Sequence, residues 1–296
     1  MKPSKILVPV DFSPFSDYAT DYSIFLSQKY NSQISLFHVI VLYEADVDEE
    51  AHVKQLEEII KRKEENTNEL FERHRQKFLT KSLEIDSEIT RGISPANTIL
   101  EYIDEHKFDL VLMGTHGRTG IKNWIYGSVT EKVVRLSKIP VMTIHSNPKS
   151  IQIDKILVPV DFSENSREGV KEAIKIAKDF EADIDFIHVV EQHLQTSFHV
   201  VGIESIYATN PDLKKITGSK LQEFCNCNDI EASYTVIEGT AHQTIADYSK
   251  DSGADLIVMS TRGYTGLDHL LIGSTTERVV RTASCPVLTV GRHRKD

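Results

Sequence analysis

The residues of this chain best suited to chemistry are an aspartate and a set of spaced glycines, and both occur twice. Asp11 closes an apolar run, Ile6–Val10, and Asp161 closes its copy, Ile156–Val160. A second apolar run ends in Gly114 and Gly117. Nine residues then separate Gly117 from Gly127, which Ser128 follows directly. A loop of this kind, between the end of a strand and the start of a helix, can hold a phosphate. Glycines let backbone N–H groups approach oxygens closely, and a helix N-terminus adds unpaired N–H groups and partial positive charge. The hydroxyls of Ser128 and Thr130 are further candidate donors to the same oxygens. Asp11 can accept from an exocyclic amine or a ribose hydroxyl.

Each feature also has a reading that needs no ligand. Ser128 through Glu131 fits a capping box, as does Ser274 through Glu277, and such a helix start satisfies its own donors. Asp11 can simply turn the chain into the following helix, its carboxylate near the helix N-terminus. The loop lacks the lysine of a G-x4-G-K-S/T P-loop and the G-x-G-x-x-G spacing of a dinucleotide fold.

The elements that must carry these residues follow from patterning. A continuous apolar run indicates a strand buried on both faces, expected at Ile6–Val10, with further strands expected at Gln33–Val39, Glu84–Thr90, Asp109–Met113 and Val141–Ile144. Ser13 followed by Pro14 predicts an N-cap and first helical position, with a helix to about Tyr30. A long charged helix is predicted over 47–80, its inner positions Val53, Leu56, Ile60, Leu70, His74 and Phe78 at mostly three- and four-residue steps. Further helices are expected from Pro95 to near His106 and from about Ser128 to Ser137. Strands separated by helices imply a mainly parallel sheet, hence an α/β fold.

The whole arrangement is then repeated. KILVPVDFS at Lys5–Ser13 returns letter for letter at Lys155–Ser163, and Met113–Arg135 returns in altered form at Met259–Arg281. The second set of strands is expected at Ile156–Val160, Asp183–Val189, Glu231–Ile237, Asp255–Met259 and Val287–Val290. An offset near 150 residues is a whole-domain period, far above the roughly 20–50 residues of solenoid repeats. Domains are expected at 1–147 and 153–296, joined by a short polar linker. Residues 192–212 read as a loop or broken helix, either a plain surface connection or a lid.

Composition narrows the function classes. The 296 residues carry a net charge of −10, which argues against broad nucleic-acid or acidic-membrane binding. Cys225, Cys227 and Cys285 are odd in number and lack zinc-knuckle spacing, so free thiols in a reducing compartment are expected. No apolar run approaches the ~18 residues of a membrane span, and the N-terminus lacks a signal-peptide core. A cytoplasmic location is the expectation.

Together these residues resemble the universal stress protein family. The resemblance covers nearly the whole chain. It is carried by PVDFS at Pro9–Ser13, FHV at Phe37–Val39, Gly92 before the third helix, and G-x2-G-x9-G-S from Gly114 to Ser128, the mark of the ATP-binding branch. It implies two tandem open parallel five-stranded sheets of order 3-2-1-4-5 with helices on both faces, a Rossmann-like arrangement. It implies ATP across the ends of strands one and four, with Mg2+ or Mn2+ among the phosphates. Asp11 and Val39 would then contact adenine, with Pro9 and Val10 lining its pocket. Gly114, His116 and Gly117 would approach ribose and phosphate, Gly127, Ser128, Val129 and Thr130 would wrap the phosphates, and Met113 and Arg118 would also belong to the nucleotide site. His116 reads equally as a loop residue facing water.

The second copy implies Pro159, Val160, Asp161, Val189, Gly263, Gly273, Ser274, Thr275 and Thr276, with Ser260 where the first copy has Gly114. If that position needs positive φ, serine is disfavoured; if only small size matters, it is tolerable. The first site therefore ranks ahead of the second. The implied role is a nucleotide-dependent regulator in stress response that acts on a protein partner. In the family the last strands pair across a two-fold axis, so an internal pseudo-dimer is expected, and a homodimer is open. No general base is marked in the crevice, His116 being the nearest candidate. A slow ATPase or related nucleotide hydrolase is the enzyme alternative, against which DFSPFSD after strand one lacks paired glycines. A scaffold with a degenerate second site is the third reading.

Overall fold

The computed structural model describes residues 2–42, 50–79, 83, 85–115, 127–145, 151–191, 211–227, 229–261 and 272–291. The predicted site residues His116, Gly117, Arg118 and Gly263 lie outside these, as do 192–210 of the expected loop and 146–150 of the linker. The chain divides into two compact units, Lys2–Ile151 and Gln152–Asp296.

The first unit runs β1 (Lys5–Pro9), α1 (Pro14–Tyr30), β2 (Gln33–Val41), α2 (Glu50–Leu79), β3 (Ile85–Gly92), α3 (Pro95–His106), β4 (Leu110–Gly114), α4 (Ser128–Leu136) and β5 (Val141–Ile144). Its strands lie in the order β3-β2-β1-β4-β5, all parallel. Ile6, Leu7 and Val8 of β1 are fully buried although successive side chains point to opposite faces, so both faces of the sheet are covered. The direction of strand addition reverses between β1 and β4, where Ile6 pairs with Leu110 and Leu7 with Val111. A crevice at the carboxyl ends of those strands is where open parallel sheets bind ligands.

α1 begins as its sequence predicts. Ser13 caps it, accepting from the Ser16 N–H, with Pro14 in the first turn. Asn31, left-handed at φ 58, ends it with its N–H on the Ser27 carbonyl. α2 is the long helix expected, but its inner face differs in detail. Among its described side chains Thr67, Phe71 and His74 are buried and Leu70 is only half-buried; those of Val53, Leu56 and Phe78 lie outside the described residues. One residue of rotation replaces leucine with phenylalanine as the deep contact.

The second unit repeats this with β6 (Lys155–Pro159), α5 (Glu164–Phe180), β7 (Asp183–Val190), α6 (Pro211–Cys225), β8 (Ala232–Glu238), α7 (Ala241–Asp251), β9 (Leu256–Ser260), α8 (Ser274–Thr282) and β10 (Val287–Val290). Its order, β8-β7-β6-β9-β10, is again parallel. Both units therefore show the 3-2-1-4-5 order. No helix among the described residues is long and apolar enough to cross a membrane.

Candidate functional site

The end of β1 is a tight, strained turn. The carboxylate of Asp11 accepts from the Ser13 N–H at 3.0 Å. Between them Phe12 sits at φ 60, a left-handed conformation that costs a non-glycine residue about 1–2 kcal/mol. The second copy repeats it: Asp161 accepts from the N–H of Ser163 at 3.0 Å and its hydroxyl at 2.6 Å, with Phe162 at φ 64. The turning role anticipated for Asp11 is thus real, and it aims the residue from the strand end.

Side chains behind the turn hold the strained phenylalanine. The Phe12 ring lies 5.0 Å from His38, 5.3 Å from Phe71 and 5.5 Å from His74, centroid to centroid. His74 joins α2 to α1, its Nε2 at 2.6 Å from the Asp17 carboxylate and its Nδ1 at 3.0 Å from the Leu70 carbonyl. In the second copy Arg167 stands in the place of Asp17. Its guanidinium lies 4.1 Å over the Phe224 ring and donates to the Phe224 carbonyl at 3.3 Å. Phe162 packs 4.5 Å from His188 and 5.5 Å from Phe224, under the Lys220 ammonium.

His38 and His188 are residues whose part in the site the sequence reading did not assign. His38 Nδ1 lies 2.7 Å from the Val10 carbonyl, and His188 Nδ1 lies 2.7 Å from that of Val160. A carbonyl only accepts, so Nδ1 carries the hydrogen in both rings. Burial holds the His188 pKa below its ordinary value of 6.5, against smaller opposing effects of the Val160 carbonyl and Asp161. The signal was present in sequence: Phe37-His38-Val39 and Ile187-His188-Val189 occupy matching depths in the two copies.

At the end of β4, Met113 is buried and Gly114 half-buried. The chain returns at Gly127, whose N–H donates to the Thr115 carbonyl at 2.9 Å. The Thr115 N–H in turn donates to Ile144 at 3.0 Å. Thr130, in the first turn of α4, donates its hydroxyl to the Gly114 carbonyl at 2.8 Å. These bonds bind the two sides of the loop at its base.

Two sequence expectations change here. The N-cap of α4 is Gly127, not Ser128, and no side chain caps the helix. The chain's close passage along the Thr115 carbonyl puts glycine in that role: a Cβ on Gly127 would lie 3.2 Å from the Thr115 oxygen. The capping box is therefore not formed, at Gly127 or at Gly273, the cap of α8. Helix geometry gives the N–H groups of Ser128, Val129 and Thr130 no carbonyl within α4. Second, the one hydrogen of the Thr130 hydroxyl is engaged by Gly114, which leaves Ser128 as the exposed hydroxyl of the turn.

The second copy keeps the same base. Gly273 donates to Thr261 at 2.8 Å, Thr261 to Val290 at 3.1 Å, and the Thr276 hydroxyl to the Ser260 carbonyl at 2.8 Å. Ser274 and Thr275 occupy the first turn of α8. Ser260 does not have positive φ, so it carries no left-handed strain. Size decides this position: a Cβ on Gly114 would lie 2.6 Å from the Phe15 carbonyl carbon. Opposite Ser260, α5 carries Gly169 at the place of Ala19 in α1, and a Cβ there would lie 3.4 Å from the Ser260 nitrogen.

Pro9, Val10, Asp11 and Val39 thus gather at the ends of β1 and β2, and Gly114, Gly127, Ser128, Val129 and Thr130 at the neighbouring end of β4. Pro159, Val160, Asp161 and Val189 do the same in the second unit, beside Ser260, Gly273 and Thr276. The model of the universal stress protein family matches residues 3–145 and again 152–291. The chain belongs to this family.

Among universal stress proteins it is 35% identical to one of Methanocaldococcus jannaschii over 146 residues, which covers 48% of this chain and 84% of the relative. It is 24% identical to the universal stress protein E homolog of Haemophilus influenzae, with 100% of both chains covered. A crystal structure of a universal stress protein from Archaeoglobus fulgidus shares its fold, with a TM-score of 0.69 at 22% identity, covering 100% of this chain and 98% of that one.

Proposed function

We propose that this universal stress protein binds ATP at the carboxyl ends of β1 and β4, and that occupancy regulates its action on a protein partner in stress response. The observation that carries this reading is the junction at Gly127, where α4 opens onto the crevice with no side-chain cap. The residues fit the ligand in size as well as charge. A cradle closed by Gly127 against Thr115 leaves room for phosphate oxygens where any Cβ would crowd the backbone. The first-turn N–H groups of Ser128, Val129 and Thr130, with the Ser128 hydroxyl, would take the phosphates. Mg2+ or Mn2+ would enter with the phosphates. Asp11 and the Val39 backbone would take adenine against Pro9 and Val10, with Gly114, His116 and Gly117 toward the ribose.

The same reading extends to the second unit. Ser260 does not have positive φ, and the hydroxyl of Thr276 holds the loop base as that of Thr130 does. Two ATP per chain is the expected stoichiometry. The test is to denature purified protein, identify released nucleotide by chromatography, and titrate stripped protein with ATP and Mg2+ in a calorimeter. No released nucleotide together with no heat of binding would falsify the reading. ADP accumulating during incubation with ATP would replace a binding protein with a hydrolase.

A further inference from the structure

We infer that His38 and His188 are positioning residues that expose the backbone edge of Val39 and Val189 to the nucleotide base. The inference rests on the ATP reading above, but its structural half can be tested without a ligand.

In a parallel ladder one residue bonds a neighbour strand through both its polar groups, its N–H donating and its C=O accepting, and alternate residues face opposite neighbours. Gln33 donates to Ser4, and Phe37 accepts from Val10 at 2.8 Å. Residues 33, 35, 37 and 39 of β2 therefore turn their N–H and C=O groups toward β1. The regular continuation after the bond from Val10 to Phe37 is a bond from the Val39 N–H to the Val10 carbonyl. That bond is absent, and the Val10 carbonyl accepts from the His38 ring at 2.7 Å. The paired register of β1 with β2 stops at Pro9 and Phe37. Beyond it, the strained turn at Phe12 carries β1 away. Among the described residues the Val39 N–H and C=O then have no partner on β1, and they lie side by side at the end of the strand. β7 does the same: Val160 donates to Ile187, and His188 takes the Val160 carbonyl.

A donor and an acceptor side by side on one residue match adenine, which offers a ring-nitrogen acceptor beside an amino donor. Guanine presents the reverse order on that edge. Were Val39 to close the ladder onto Val10, its N–H would be lost to the ligand. His38 thus acts on base choice through Val39 and without touching the base.

Amide hydrogen exchange on the ligand-free chain reads the structural half. The Val39 N–H should exchange much faster than that of Phe37. In His38→Leu it should slow by about tenfold or more as it captures the vacated carbonyl. Calorimetry with ATP and with GTP reads the functional half. The preference for ATP should fall about tenfold in His38→Leu, and His38→Asn, whose amide can donate to the same carbonyl, should restore it. Equal protection of Val39 and Phe37 in the native chain overturns the inference, as does an unchanged ATP/GTP ratio in His38→Leu or failure of the asparagine to rescue. If His38→Leu does not fold, His188→Leu and the Val189 amide serve in its place. A native chain that binds neither nucleotide overturns the ATP reading alone, since the exchange rates still decide the histidine arrangement.

Discussion

Gly114 and Phe15 approach so closely that a Cβ on the glycine would lie 2.6 Å from the phenylalanine's carbonyl carbon and 2.7 Å from its oxygen. The start of α1 therefore rests directly on the end of β4, and the two walls of the crevice are in backbone contact. Gly114→Ala must push them apart. It should lower stability of the first domain by about 1–3 kcal/mol, read as a reduced denaturant midpoint, and weaken ATP binding there.

The second domain should respond in the opposite way. Gly169→Ala places a methyl group 3.4 Å from the Ser260 nitrogen, an ordinary contact, inside a helix that gains up to about 1 kcal/mol from the change. The expected result is a neutral or raised midpoint. Ser260→Gly should leave ATP affinity of the second domain unaltered, because there is no left-handed backbone to relieve. A clear rise in affinity would reinstate strain as the cause.

Gly127→Val should abolish ATP binding in the first domain. A Cβ already crowds the Thr115 oxygen at 3.2 Å, and a branched side chain has few rotamers with which to escape the phosphate space. Calorimetry should then count one ATP per chain in place of two.

Thr130→Val keeps the shape and removes the hydroxyl that reaches the Gly114 carbonyl. The expected cost is about 1 kcal/mol of stability, with weaker ATP binding as the loop base loosens. Thr130→Ser should recover most of both. Equal melting temperatures for the valine and native chains would remove this bond from the account.

His188 provides a test by pH. Burial lowers its pKa from 6.5 in the folded chain, so the unfolded chain binds the proton more readily. The stability that the neutral ring contributes is complete above about 6.5 and is lost as pH falls through the lower folded value. Melting temperature should therefore drop more steeply below pH 6.5 in the native protein than in His188→Gln.

The thiols should be slow to react. Burial pushes those of Cys225 and Cys285 up to about 12, and the thiolate is the reactive form. Iodoacetamide at pH 8 should label either only after unfolding, as mass spectrometry of the digested protein would report.

Much of the fold was legible because the central strands β1, β4, β6 and β9 are written as apolar runs. β5 and β10 fall at their expected residues, and the remaining strands differ from expectation by one or two residues at an end. The start of α1 was legible from Ser13 and Pro14, which act through local geometry alone. The misreadings arose where distant backbone decides. Ser128 with Glu131 looks like a capping box until Thr115 draws Gly127 into the cap. Nothing local marks Phe12 for positive φ, since the rings that hold it come from β2 and α2. The part played by His38 depends on how far β1 runs beside β2, a matter of register that one strand's residues do not contain.

The difference between the Asp17–His74 contact of the first copy and the Arg167–Phe224 contact of the second bears on how such a chain reaches its native state. Tandem copies that share nine consecutive residues risk folding with elements traded between them. A traded α2 would set His74 against Arg167 in place of a carboxylate, and a traded α6 would set the electron-rich face of Phe224 against Asp17. Either mistake forfeits a good contact and gains a poor one. Divergence behind the site can thus act as a proofreading mark, while the residues at the strand ends remain alike.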